Sequence, residues 1–118
     1  MAKVLIVDDA EFLRVRLTKI LNTEGYEVFQ AENGVKAVAA YQESHPDVVL
    51  MDVTMPEMDG LTALKEIIQL DPKAKVVMLT ALGQESVVLE AVKSGAKDFV
   101  VKPFEQDRVM NAITKLLS

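Results

Sequence analysis

The sequence has no cysteine and no tryptophan. Without thiols there can be no disulfide, no thiolate metal site and no cysteine nucleophile. A small disulfide-free domain fits a cytoplasmic location. Aromatic residues make up 5% of the chain although 50% is hydrophobic, so the core has to be aliphatic. Thirteen basic residues stand against eighteen acidic ones, a net charge of -5. That balance argues against direct nucleic-acid binding, which needs clustered Lys and Arg. No apolar run approaches a membrane span, so no membrane insertion is expected. The opening MAKVLIVDD passes straight from a short apolar run into acids. A signal peptide has a longer apolar stretch and a small-residue cleavage site. The single histidine, His45, precedes Pro46 in a predicted loop. One imidazole cannot build a metal site, and His45 reads as surface structure. The 118 residues are expected to form one domain, 1–118.

What the chain does have is alternation. Short runs rich in Val, Ile and Leu take turns with longer segments of helical period. Strands are predicted at Lys3–Val7, Glu27–Gln30, Val48–Met51, Lys75–Leu79 and Asp98–Val101. The first helix is predicted over Glu11–Thr23, with Phe12, Val15, Leu17, Ile20 and Leu21 apolar and Gly25 closing it. Asn33 is expected to cap a helix running through Tyr41, ended by His45-Pro46. Asp59 is expected to cap a helix over Leu61–Leu70. Helices over Gln84–Lys93, closed by Gly95, and Glu105–Leu117 complete the pattern. In the last, Val109, Ala112, Ile113 and Leu116 share a face. Five strands alternating with five helices imply an α/β fold, a parallel sheet covered on both faces.

Polar residues follow four of the five strands: Asp8 and Asp9, Asp52, Thr80, and Lys102. In a parallel sheet all strand C-termini share one edge, where open α/β sheets bind ligands. Singly, each residue has a plain structural role. Asp8 and Asp9 can cap the first helix, Asp52 can turn a loop, Thr80 can end a strand, and Lys102 can be a solvated charge. Jointly they specify a chemistry. Three carboxylates repel one another, and one lysine does not balance them. A hard divalent cation such as Mg2+ would. A carboxylate can act as nucleophile and form an aspartyl phosphate. Metal, lysine and hydroxyl would stabilise the transferring phosphoryl oxygens.

The segments VLIVDDA, DVVLMDVTMPEMDG, VVMLTA and GAKDFVVKPF resemble the receiver domains of two-component response regulators. The likeness covers essentially the whole chain and is strongest to the single-domain chemotaxis members. It implies a flavodoxin-like, doubly wound (βα)5 sheet of order 2-1-3-4-5. By residue it implies Asp52 as phosphoryl acceptor and Asp9 as a direct metal ligand, with Asp8 its acidic neighbour. Thr54 would offer a backbone carbonyl to the Mg2+. Thr80 would supply the switch hydroxyl, Lys102 would pair with the phosphoryl group, and Lys102-Pro103 would be cis. Phe99 occupies the aromatic switch position, where tyrosine is common, and so lacks a hydroxyl contact. Thr54 and Leu82 sit where the family tunes hydrolysis, and an apolar Leu82 implies slow decay.

The resemblance further implies a histidine kinase as phosphoryl donor. It implies a phospho-acceptor switch that assists its own phosphorylation and dephosphorylation, rather than an independent enzyme. The output would be a monomer binding a partner such as the flagellar motor switch through the fourth helix, fifth strand and fifth helix, with a phosphatase as a further partner. Within the fourth helix, Leu89 widens the stripe of Val87, Val88, Ala91 and Val92, either as core or as a docking rim. Alternatives within the family are a phosphorelay regulator or a receiver cut from a longer protein. An aspartate-nucleophile phosphatase would need an acid where Thr54 stands, and a nucleotide or flavin binder lacks its glycine motif here.

Overall fold

The computed structural model describes residues 2–55 and 57–118. Met1 and Pro56, the latter within the MPEMDG segment, lie outside the described residues. The elements alternate as expected: β1 (Lys3–Val7), α1 (Glu11–Thr23), β2 (Glu27–Ala31), α2 (Gly34–Ser44), β3 (Val48–Asp52), α3 (Gly60–Leu70), β4 (Val76–Thr80), α4 (Glu85–Lys93), β5 (Asp98–Val101) and α5 (Gln106–Leu117). All neighbouring strands are parallel, in the order β2-β1-β3-β4-β5. Among the described residues, no helix is long and apolar enough to cross a membrane.

Strand periodicity explains the layering. Successive side chains point to opposite faces. Leu5, Val7, Val49, Met51, Val76 and Met78 pack with Ala37 and Tyr41 of α2, Leu64 and Ile67 of α3, and Ala91 of α4. The intervening Val4, Ile6, Val48, Leu50, Val77 and Leu79 pack with α1 and α5. Each fully buried Leu or Ile contributes about 1.5–3 kcal/mol. These central strands are buried on both faces, which is why they read as unbroken apolar runs.

Most helix signals hold. The Asn33 side chain accepts the Lys36 N–H at 2.9 Å, and that of Asp59 accepts the Thr62 N–H at 2.8 Å. Gly25 and Gly95 follow their helices with positive φ. His45 is exposed and takes the left-handed cap position of α2, consistent with a surface role. That helix runs three residues beyond Tyr41, to Ser44.

The apolar assignment in α1 needs correcting. Its buried residues are Leu13, Leu17 and Leu21, spaced four apart along one line. Phe12 is 77% exposed and Val15 41%, because Phe12 stands one step of about 100° off that line and Val15 two, about 200°. Asp8 and Asp9 are likewise not the cap of α1, a position that falls to Ala10.

Candidate functional site

The strand order sets β1, β3, β4 and β5 side by side, so their C-termini form one continuous rim. The parallel register pairs Val7 with Met51, Asp52 with Leu79, and Thr80 with Val101. The residues after or at these ends, distant in sequence, therefore meet.

Asp8 lies just beyond β1 and is buried, with Asp9 exposed beside it. Asp52 ends β3 half-buried. Carboxylate oxygens of these three residues lie within 4.8 Å of one another. Lys102 reaches in from beyond β5. Its Nζ donates to Asp8 Oδ2 at 2.9 Å and stands 3.3 Å from Asp52 Oδ1. The other Asp8 oxygen accepts the Ala10 N–H at 2.9 Å. The Arg14 guanidinium holds the Asp8 backbone carbonyl at 2.7 Å.

The electrostatics follow from this crowding. Burial pushes the Asp52 carboxyl up; Lys102 opposes that shift, while Asp8 and Asp9 reinforce it. Burial alone would lower Lys102, but its hydrogen bond to Asp8 and the nearby carboxylate charges hold its ammonium above the usual lysine value. One ammonium thus faces three carboxylates. The donor set is all oxygen, anionic and partly open, which fits a hard divalent cation of the Mg2+ kind.

Thr80 is the last residue of β4 and is buried; its carbonyl accepts the Lys102 N–H at 2.6 Å. The Lys102-Pro103 peptide is cis. Phe99, 38% exposed, sits on the neighbouring strand. Its N–H is taken by the Asp98 carboxylate at 2.8 Å, and its carbonyl by Arg108 at 2.7 Å. Thr80, Leu82, Val88, Leu89, Val92 and Phe99 help line a groove of about 300 Å³. Leu82 is 81% exposed at this groove. Of the α4 stripe, only Ala91 is buried; Leu89 and Val92 are open to solvent, so Leu89 is not core.

Three contributors escaped the sequence reading. Gly60 is wedged under the end of β3. Its N–H donates to the Val53 carbonyl at 2.8 Å, and a Cβ there would fall 1.9 Å from the Asp52 carbonyl oxygen. The MDG segment contained that glycine, but only the close approach explains it. Gln84 accepts the Ala81 N–H at 2.7 Å and donates to Thr54 Oγ1 at 3.0 Å. Arg108 pins Phe99, as described above. A lone glutamine or arginine near a helix start carries no signal of such long-range contacts.

Comparison with known proteins gives a consistent result. The family described as response regulator receiver domain matches residues 4–114. The chemotaxis protein CheY of Bacillus subtilis (strain 168) is 56% identical over 117 residues, covering 98% of each chain. That of Thermotoga maritima is 53% identical over 115 residues, covering 97% of this chain and 96% of the relative. In the crystal structure of the CheX-CheY-BeF3-Mg+2 complex from Borrelia burgdorferi, one chain superposes with a TM-score of 0.93 at 38% identity. That match covers 99% of this chain and 90% of that one. With its fold, its strand order and this degree of identity, the chain belongs to the response regulator receiver domain family.

Proposed function

We propose that this chain is a stand-alone chemotaxis response regulator, cytoplasmic and monomeric, that accepts a phosphoryl group on Asp52 and thereby changes its protein partner. The observation that carries this reading is the meeting of Asp8, Asp9 and Asp52 around Lys102 at the sheet edge.

The donor is a phosphohistidine on a histidine kinase. An Asp52 carboxylate oxygen attacks phosphorus, forming a P–O bond as the P–N bond to the imidazole breaks. The electron pair of that bond leaves with the imidazole. Lys102 already spans Asp8 and Asp52, so its ammonium stands where phosphoryl charge accumulates. Asp8, Asp9, Asp52 and the Thr54 backbone carbonyl are the groups that would hold Mg2+. When bound, the ion supplies charge neutralisation at the phosphoryl oxygens. Thr54, two residues after Asp52, and Leu82, two after Thr80, tune the lifetime of the product.

Phosphorylation adds charge and strong acceptors. The Thr80 hydroxyl moves toward them, and Phe99 turns into the groove that both residues line. The α4–β5–α5 face then shifts between two packings, a change of population rather than of fold. The flagellar motor switch is the proposed output partner. The CheX-CheY complex among the relatives supports a second partner of the CheX kind, such as a phosphatase.

Labelled phosphohistidine kinase provides the test. Asp52→Asn should take up no label in Mg2+, and chelation should abolish labelling of the unaltered chain. Labelling of Asp52→Asn at the normal rate would overturn the acceptor assignment. Capture of the motor switch only in the presence of beryllofluoride and Mg2+ would support the chemotaxis output; equal capture without them would count against it.

A further inference from the structure

Past Asp52 and Leu79 the ladder between β3 and β4 ends, with the Val53 N–H on the Leu79 carbonyl at 3.1 Å. The two chains then diverge into separate loops, one carrying Thr54 and the other Ala81. The Gln84 side chain crosses this gap. Gln84 Oε1 accepts the Ala81 N–H at 2.7 Å, while Gln84 Nε2 donates to Thr54 Oγ1 at 3.0 Å. The first bond alone would be ordinary turn chemistry, since the residues are three apart. The second joins residues 30 apart in sequence and cannot be local.

The amide plays both parts. It presents an acceptor on one arm and a donor on the other. A carboxylate would keep the Ala81 arm and could hold Thr54 only as acceptor of its hydroxyl, whereas a thioether would lose both. The rung stands beside the site: Thr54 is two residues after Asp52, and Ala81 directly follows Thr80.

We propose that Gln84 is a positioning residue, a latch that ties the two loops together in the resting chain and opposes activation. This inference rests on the reading of Asp52 as phosphoryl acceptor. A displacement of Thr80 toward a group on Asp52 drags Ala81 with it, because they share a peptide unit. The 2.7 Å bond to Gln84 resists that displacement, and through Nε2 so does Thr54. Two hydrogen bonds on the surface of a site bias such an equilibrium by about three- to tenfold.

The test compares the unaltered chain, Gln84→Met, Thr54→Val and the double variant, using beryllofluoride with Mg2+ as the probe. Gln84→Met keeps the size of the side chain and removes both arms; Thr54→Val removes one. Gln84→Met is expected to bind beryllofluoride about three- to tenfold more tightly. Exchange of the Ala81 amide, followed by NMR without probe or metal, should also speed up. Thr54→Val should give a smaller gain, and the double variant should gain nothing beyond Gln84→Met. Unchanged or weaker binding in Gln84→Met, or fully additive effects, would overturn the latch. If the unaltered chain binds no beryllofluoride, the phosphoryl-acceptor reading fails instead. Ala81 exchange still decides whether the latch exists: equal rates in the unaltered chain and Gln84→Met remove it.

Discussion

α3 and α4 follow neighbouring strands and pack on the same side of the sheet, yet they are held to it differently. α3 is capped by Asp59, fixed at its first residue by the Gly60 contact, and buries Gly60, Ala63, Leu64 and Ile67. α4 buries only Ala91, lacks a side-chain cap, and leaves Leu89 and Val92 open. The residue at its cap position, Gln84, directs its amide across to the next loop. The helix after β3 is therefore a foundation, and the helix after β4 is a part that can be moved. Segments with few buried contacts sit at the low end of local stability, where switching elements are found.

Substitution can break this contrast. Gly60→Ala should have the largest effect, because a Cβ cannot coexist with the Asp52 carbonyl oxygen at 1.9 Å. A loss of about 3 kcal/mol or more in urea unfolding is expected, together with loss of phosphorylation. A variant of full stability would show that the loop yields without consequence.

Ile67→Ala, in the centre of α3, should cost about 2–5 kcal/mol. Leu89→Ala on α4 should cost under about 0.5 kcal/mol while weakening capture of the output partner. Equal stability losses at the two positions would erase the distinction between the helices, and undiminished capture would remove Leu89 from the docking rim.

The smallest effect sharpens the comparison at the far end of α3. Tyr41 of α2 donates to Asp71, the residue that ends α3, at 2.7 Å. That hydrogen bond, with the Lys73 N–H, holds the Asp71 carboxyl below its ordinary value. Burial first, and then Asp71, push the Tyr41 hydroxyl up. A lowered carboxylate contributes stability above its ordinary value of 3.8, and this is lost as pH falls through the lowered pKa. A raised phenol contributes below its ordinary value of 10.0, and this is lost as pH rises toward the raised pKa. Tyr41→Phe should therefore lower the urea midpoint across the neutral range and flatten its fall on both the acid and alkaline sides. An unchanged midpoint profile would remove this tie from α3.

How much of this was legible depends on the range of the interaction. Asp52, Thr80 and Lys102 stand at or just after strand ends, and a parallel order carries strand ends to one edge. Local pattern plus topology was enough to bring them together. The cis Lys102-Pro103 peptide and the placement of Phe99 beside β4 came from family likeness rather than from spacing. Phe12 misled because large apolar residues are usually buried, whereas the core line of α1 runs through Leu13, Leu17 and Leu21. Gln84, Gly60 and Arg108 were silent because their partners are backbone atoms or distant side chains, and no periodicity encodes such pairs.

Arg108 and Asp98 have one more consequence. β5 is an outer strand of the sheet, a place where backbone groups commonly invite a foreign strand to join. At Phe99 both groups are already claimed, the N–H by Asp98 and the carbonyl by Arg108. A visitor at this position finds no main chain to pair with and must be recognised by side-chain shape. Under the proposed function, recruitment would read the orientation of the Phe99 ring, while sheet extension between copies is discouraged at this position.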